Sequence, residues 1–183
     1  MTWRSHKSNI TGLKTLVVGG TGMLSGTIQH LLNSGDEVYS ISRHAPAIRH
    51  PRLHPLLLDY RNSEALKAAL ATCGSFDRAV IWIHSIVPEA PFAVAEAVTG
   101  PYFHVLGSAA ADPSRPGAAR LERFRALGTD YREVILGFQV TAHGSRWLTN
   151  AEISAGVWHA IAQDARRFVI GTVEPWAARP EWS

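Results

Sequence analysis

An apolar run that ends in a glycine cluster and passes straight into a helix-period pattern constrains this chain more than any other feature. It reads Leu16-Val17-Val18-Gly19-Gly20-Thr21-Gly22-Met23-Leu24-Ser25-Gly26. The pattern predicts a strand, a tight turn and a helix. Gly19 supplies the turn, Gly22 lets backbone come close to an anion, and the first N–H groups of the helix point at it. The helix dipole adds roughly 0.3–1 kcal/mol. The ligand expected at such a turn is the diphosphate of a dinucleotide, held by Gly19, Gly20, Thr21, Gly22, Met23 and Leu24. The third glycine of the spacing falls at Ser25 or slips to Gly26. A glycine-rich turn alone carries little weight, but here the flanking strand and helix are both present.

The rest of the chain alternates strand and helix patterns. Strands are expected at Leu13–Val18, Glu37–Ser42, Leu56–Leu58, Ala79–Ile83, Phe103–Leu106, Glu133–Val140 and Phe168–Val173. The first helix carries Leu24, Ile28, Leu31 and Leu32 on one face and stops near Gly35. Asn62 or Ser63 caps a second, with Ala65, Leu66, Ala69, Leu70 and Cys73 inward. Pro88–Val98 allows a short alanine-rich helix, and Gly117–Leu127 reads as another. Thr149 and Glu152 form a capping box that opens a helix running to about Arg167. Ala109–Ala119 reads as a surface loop. This order predicts an α/β fold, a single Rossmann-type doubly wound parallel β-sheet with helices on both faces, formed by one domain over residues 1–183. Ligands of such sheets bind beyond the carboxyl ends of the strands, which selects Ser42-Arg43, Asp59-Tyr60, His84-Ser85 and Gly107-Ser108.

Composition narrows the partners. A net charge of +3 comes from scattered arginines rather than a basic run, which argues against nucleic acid. No run is long and apolar enough to span a bilayer. The polar leader of residues 1–12, with Trp3, Arg4, His6 and Lys7, lacks the apolar centre of a signal peptide. Cys73 is the only cysteine, so no internal disulfide forms, and a cytoplasmic location is expected. The histidines, His50 and His54 among them, show no metal-ligand spacing, and no zinc is expected.

In the order and spacing of these elements, from Leu13 to about Val173, the chain resembles the short-chain dehydrogenase/reductase superfamily in a shortened, atypical form. Gly19-Gly20-Thr21-Gly22 looks like that family's cofactor turn. Asp59 stands where the family's aspartate meets the adenine ring, and Gly107-Ser108 resembles the strand end that supplies its catalytic serine. The resemblance implies a strand order of 3-2-1-4-5-6-7 and self-association into a homodimer or larger homo-oligomer. Asp59 has a plainer alternative as a turn cap, and Tyr60 reads as a rim or packing residue.

At the end of the second strand, where an NAD binder usually carries an acid, this chain has Ser42-Arg43. A guanidinium there grips a 2′-phosphate through paired charge-assisted bonds and Ser42 adds a donor, so NADP(H) is preferred over NAD(H). The catalytic side departs from the family. The slot for Asn-Asn-Ala-Gly reads Ile81-Trp82-Ile83-His84, with Ile83 assigned to the cofactor. The slot for Tyr-x-x-x-Lys holds Leu121 and Arg125; Arg125 stands in as a ribose clamp, but Leu121 moves no proton. No other Tyr-x-x-x-Lys occurs in the chain, and Tyr39, Tyr102 and Tyr131 do not replace it. His84 is then the leading proton donor, with Ser108 (or Ser85) orienting a substrate carbonyl or imine. His104, inside a strand, reads as structural. Arg146 and Trp147 precede the capped helix as lid candidates, and Trp176 and Trp182 mark a tail that packs on the domain or on a second copy.

Three functions fit this reading. The first is an NADP(H)-dependent oxidoreductase acting on a small carbonyl, imine or conjugated compound without the tyrosine relay. The second is an NADP(H)-binding sensor or partner subunit without turnover. The third is a redox-neutral isomerase or lyase. Convergence of His84 and Ser108 in a closed pocket favours the enzyme readings.

Overall fold

The structure, a computed structural model, describes residues 12–112, 114 and 117–181. Residues 1–11 of the polar leader and Trp182 lie outside them, as do three residues of the 109–119 loop. Seven strands form one parallel sheet: β1 (Lys14–Val18), β2 (Glu37–Ser42), β3 (Leu53–Leu57), β4 (Arg78–Ile81), β5 (Pro101–Gly107), β6 (Asp130–Leu136) and, after a hairpin of β7 (Phe138–Thr141) with β8 (Gly144–Trp147), β9 (Arg167–Ile170). Their order is β3-β2-β1-β4-β5-β6-β9, the doubly wound arrangement expected from the alternation. The helices are α1 (Ser25–Asn33), α2 (Ser63–Cys73), α3 (Ala90–Ala95), α4 (Ala118–Ala126) and α5 (Asn150–Ala162).

Side-chain alternation in the strands sorts the core into two layers. Val17, Val80, Phe103, Val105 and Val134 face α1 and α5, where Ile28, Leu31, Leu32, Val157 and Ile161 meet them. Leu16, Val18, Ala79, Ile81 and Tyr102 face the other way, against Leu66, Leu70, Val94 and Phe124 of α2, α3 and α4. Local signals set the helix ends. Asn62 Oδ1 accepts from the Ala65 N–H at 3.1 Å. Thr149 and Glu152 close a full capping box, the Thr149 N–H donating to Glu152 Oε2 at 2.8 Å and the Glu152 N–H to Thr149 Oγ1 at 3.2 Å.

Gly26 explains the slipped third glycine. A Cβ there would sit 2.8 Å from the Ser154 Cβ, so its absence is what lets α1 close on α5. The crossing is tied on both sides, by Ser154 Oγ donating to the Met23 carbonyl at 2.6 Å and Thr27 Oγ1 donating to the Ser154 carbonyl at 3.3 Å.

Four expected elements are corrected. The sixth strand does not run from Glu133 to Val140. It starts at Asp130 and leaves the sheet after Leu136, because Gly137 lies flat against the Thr172 and Ile170 backbone where a Cβ would be 2.2 Å from the Thr172 carbonyl oxygen. The chain beyond it forms the β7–β8 hairpin instead. The third strand covers Leu53–Leu57 rather than Leu56–Leu58. As the edge strand it tolerates Pro55 and buries only Leu53, which hid it from an apolar-run reading. Helix α5 stops at Ala162, where Asp164 turns to a positive φ of 50°, so Arg167 opens β9 instead of ending the helix. The helix expected over Pro88–Val98 is shorter, Ala90–Ala95, since Val98 bridges to Phe76.

Candidate functional site

Strands β1, β2, β4 and β5 run parallel, so their carboxyl ends and the turns that follow meet along one edge of the sheet. After β1, Gly19 takes a φ of +85° and its N–H donates to the Ile41 carbonyl at 3.1 Å. A Cβ on Gly19 would lie 2.7 Å from the Trp82 carbonyl oxygen, and one on Gly20 would strike Ile28 and the Ser40 hydroxyl. Both glycines are therefore demanded by close packing. Gly22 differs: a Cβ there would meet nothing within 4 Å. Thr21 and Gly22 are exposed, Met23 is half-buried and Leu24 is buried in the core. Helix α1 starts with no side-chain cap on its N-terminus, where the Ser25 N–H donates to the Gly22 carbonyl at 3.1 Å.

The end of β2 lies beside this turn. Arg43 is exposed and makes no hydrogen bond or ion pair among the described residues, though its charge helps to lower the Asp59 carboxyl. Ser42 is buried and its hydroxyl is already spent on the His44 carbonyl at 2.7 Å, so it shapes the turn that carries Arg43. After β3, Asp59 acts as the turn residue of its plainer alternative. Its Oδ1 accepts from the Arg61 N–H at 2.9 Å and its carboxylate takes the Arg61 guanidinium bidentately. Those bonds hold the Asp59 carboxyl down at about 2. Tyr60 packs against the core, and its hydroxyl accepts from the His84 N–H at 3.4 Å, a weak bond that links the β3 and β4 loops.

Beyond β4 the sequence replaces small residues by Trp82. Its Cδ1 comes 3.2 Å from the position of a Gly19 Cβ, and its Cη2 comes 3.9 Å from that of a Gly107 Cβ. The indole thus lies along the sheet edge from β1 to β5. Ile83 is buried behind it, and the exposed His84 meets the indole edge-on at 5.8 Å between ring centroids.

Next to Trp82, on the α3 and α4 side of the sheet, a cavity of about 490 Å³ opens. Val87, Pro88, Pro91, Phe92 and Leu106 give it apolar walls, His84 and Ser85 stand on the β4 side, and His104 and Arg120 supply the remaining polar groups. His104 is buried, with Nδ1 at 3.0 Å from the Tyr131 hydroxyl, and burial beside Arg120 pushes it down to about 3. Burial raises the Tyr131 phenol above its ordinary range, so this pair stays neutral at pH 7. Arg120 Nη2 donates to the buried Glu133 at 2.6 Å.

Several expected site residues are not brought together. Ser108 is buried in the 3-10 turn Ser108–Ala111, accepts from Arg179 Nε at 2.9 Å and does not line the cavity. The convergence of His84 and Ser108 that would favour the enzyme readings is therefore not formed, because Arg179 of the tail holds the serine. Arg125 does not act as a clamp here; it points to solvent from the last turn of α4 and pairs with Glu122 at 2.6 Å. Arg146 is held by Glu152, and Trp147 lies under Arg179, so neither reaches the cavity. Arg120 and His104 were missed as site residues. The signal was the alternation Tyr102-His104-Leu106, which puts His104 on the α4 face, and the period of α4, which turns Arg120 inward when Leu121 and Arg125 turn out. Among the described residues no group of three or more His, Cys, Asp or Glu is placed to hold a metal ion. None of the described helices is long and apolar enough to cross a membrane.

Neither a protein-family model nor a curated protein sequence matches this chain. Solved structures do match it. A short-chain dehydrogenase from Burkholderia cenocepacia in complex with NADP superposes with a TM-score of 0.68 at 18% identity, covering 92% of each chain. One from Leptospira borgpetersenii with bound NAD+ gives 0.65 at 11%, over 93% of this chain and 96% of the other. A Serratia marcescens short-chain dehydrogenase/reductase variant gives 0.62 at 17%, over 89% and 97%. The chain has the Rossmann-like α/β fold of the short-chain dehydrogenases/reductases, as its sequence resemblance implied.

Proposed function

We propose that this protein is an NADP(H)-dependent oxidoreductase that acts on a small carbonyl, imine or conjugated compound in the cavity beside Trp82. The observation that carries the reading is an open phosphate turn next to an exposed arginine. Gly22 leaves free space above the turn, the N-terminus of α1 carries no side-chain cap, and Arg43 stands exposed at the adjacent strand end with no hydrogen bond or ion pair among the described residues. These residues suit a diphosphate and a 2′-phosphate. Similar solved structures contain NADP in one case and NAD+ in another, so the preference rests on Arg43. Bound there, the cofactor supplies or accepts a hydride. The chain's own task is to orient the acceptor and move a proton. His84 does the second, being exposed at the cavity's β4 side and able to donate through its ring. Ser85 replaces Ser108 as the neighbouring hydroxyl, since Ser108 is held by Arg179.

Arg43→Asp tests the cofactor reading. NADPH affinity, measured by calorimetry, should fall by at least about tenfold while NADH affinity changes little. Unchanged NADPH affinity removes the phosphate clamp. A second reading, NADP(H) binding without turnover, is favoured by the occupied Ser108 and by an α4 that offers no tyrosine. Cofactor binding with no NADPH oxidation across carbonyl and imine substrates would select it. Association into a homodimer and residence in the cytoplasm belong to the same proposal.

A further inference from the structure

The cavity's charge says more about its ligand than its shape does. Among the described residues no Asp or Glu lines it, and its one charged wall residue is Arg120. The charge of Arg120 is only partly balanced. Glu133 accepts from Arg120 Nη2 at 2.6 Å but also lies 3.7 Å from Arg167, so two guanidiniums share one carboxylate. Arg120 Nε is buried without a hydrogen-bond partner, while the rest of the guanidinium is held by Glu133 and by the Tyr131 hydroxyl. A buried donor left unpaired costs on the order of 1–3 kcal/mol.

The second polar group is His104, nine-tenths and more buried and facing the same space. Its Nδ1 is tied to the Tyr131 hydroxyl at 3.0 Å, while Nε2 makes no hydrogen bond among the described residues. Held neutral by its burial, the ring adds a hydrogen-bonding group without a charge. Across from these two groups the walls are Val87, Pro88, Pro91 and Phe92. The result is a polar, cationic floor under an apolar enclosure.

We propose that this cavity binds a small apolar carboxylate, with the carboxylate at Arg120 and His104 and the hydrocarbon part against Val87, Pro88, Pro91 and Phe92. In the oxidoreductase reading, on which this inference builds, the substrate is then an oxo or unsaturated acid whose reacting carbon faces His84.

The test uses hexanoate and hexanamide, equal in length and different in charge, on the full chain by ligand-observed NMR without any cofactor. Hexanoate should bind at least about tenfold more tightly than hexanamide. Arg120→Lys should keep part of that preference. Arg120→Gln leaves the buried Glu133 short of one of its two guanidinium partners, so the decisive variant is Arg120→Gln with Glu133→Gln, which removes both charges. It should bind acid and amide alike, with circular dichroism confirming the fold. Equal affinities in the unaltered protein, or an undiminished preference in the double variant, would overturn the proposal. NADPH binding is measured separately: its loss alone sinks the cofactor reading and leaves the carboxylate site standing.

Discussion

Asp36 and Arg78 form an ion pair under the amino-terminal edge of the sheet, with side chains 0% and 4% exposed. Thr15 Oγ1 donates to Asp36 Oδ2 at 2.8 Å, yet Asp36 Oδ1 and Arg78 Nε find no partner. Burial pulls the Arg78 guanidinium below its ordinary range in spite of Asp36. Such a pair is worth little against an apolar replacement but much against losing one half. Asp36→Ala should therefore cost about 3–5 kcal/mol in urea unfolding, and Asp36→Leu with Arg78→Met should recover most of it. At the same scale, Gly19, Gly20 and Gly22 were readable from spacing, because a tight turn and close backbone approach permit no other residue type at the first two. The role of Arg120 was not. Leu121 occupied the position that the family comparison selected, and a helix shift of one residue changes which side chain looks into the cavity.

Helix ends are set by neighbours in sequence, and α5 shows it. The capping box was legible as Thr149 and Glu152 and is formed as read. Glu152 is also bound by Arg146 at 2.8 Å; that bond and the Thr149 backbone N–H hold its carboxyl down at about 2. A depressed carboxyl contributes stability above its unfolded value of 4.5 and loses it as pH falls towards 2. Glu152→Gln should thus flatten the acid limb of the stability profile between pH 4.5 and 2, a change visible in melting temperatures across that range. Thr149→Ala should cost about 1 kcal/mol at neutral pH, read by urea unfolding. The sixth strand was misjudged for the opposite reason. Glu133–Val140 has strand-forming residues on both sides of Gly137, and the Thr172 backbone lying against that glycine diverts Phe138 into a hairpin.

Over the whole molecule, Arg179 draws three distant segments together. Its Nε donates to Ser108 at the end of β5, and its guanidinium lies 5.4 Å from the Trp147 ring of the hairpin and 5.2 Å from Trp176 of the tail. Arg179→Ala should cost about 1–2 kcal/mol. It should also speed proteolysis near residues 172–176 several-fold while NADPH binding holds; unchanged cleavage would show that the tail is anchored elsewhere. Ser108 could not be judged without this contact, since Arg179 is 71 residues away in the chain. The sequence by itself determined the α/β alternation, the strand order through family resemblance, the glycine turn and the helix caps. Those depend on periodicity, on backbone sterics and on contacts between near neighbours. The tertiary structure alone decided that Trp82 spans the sheet edge, that the tail occupies Ser108, and that Arg120 and His104 share one cavity. Each of these depends on which side chains from separate strands and helices meet, and on how burial then sets their charge.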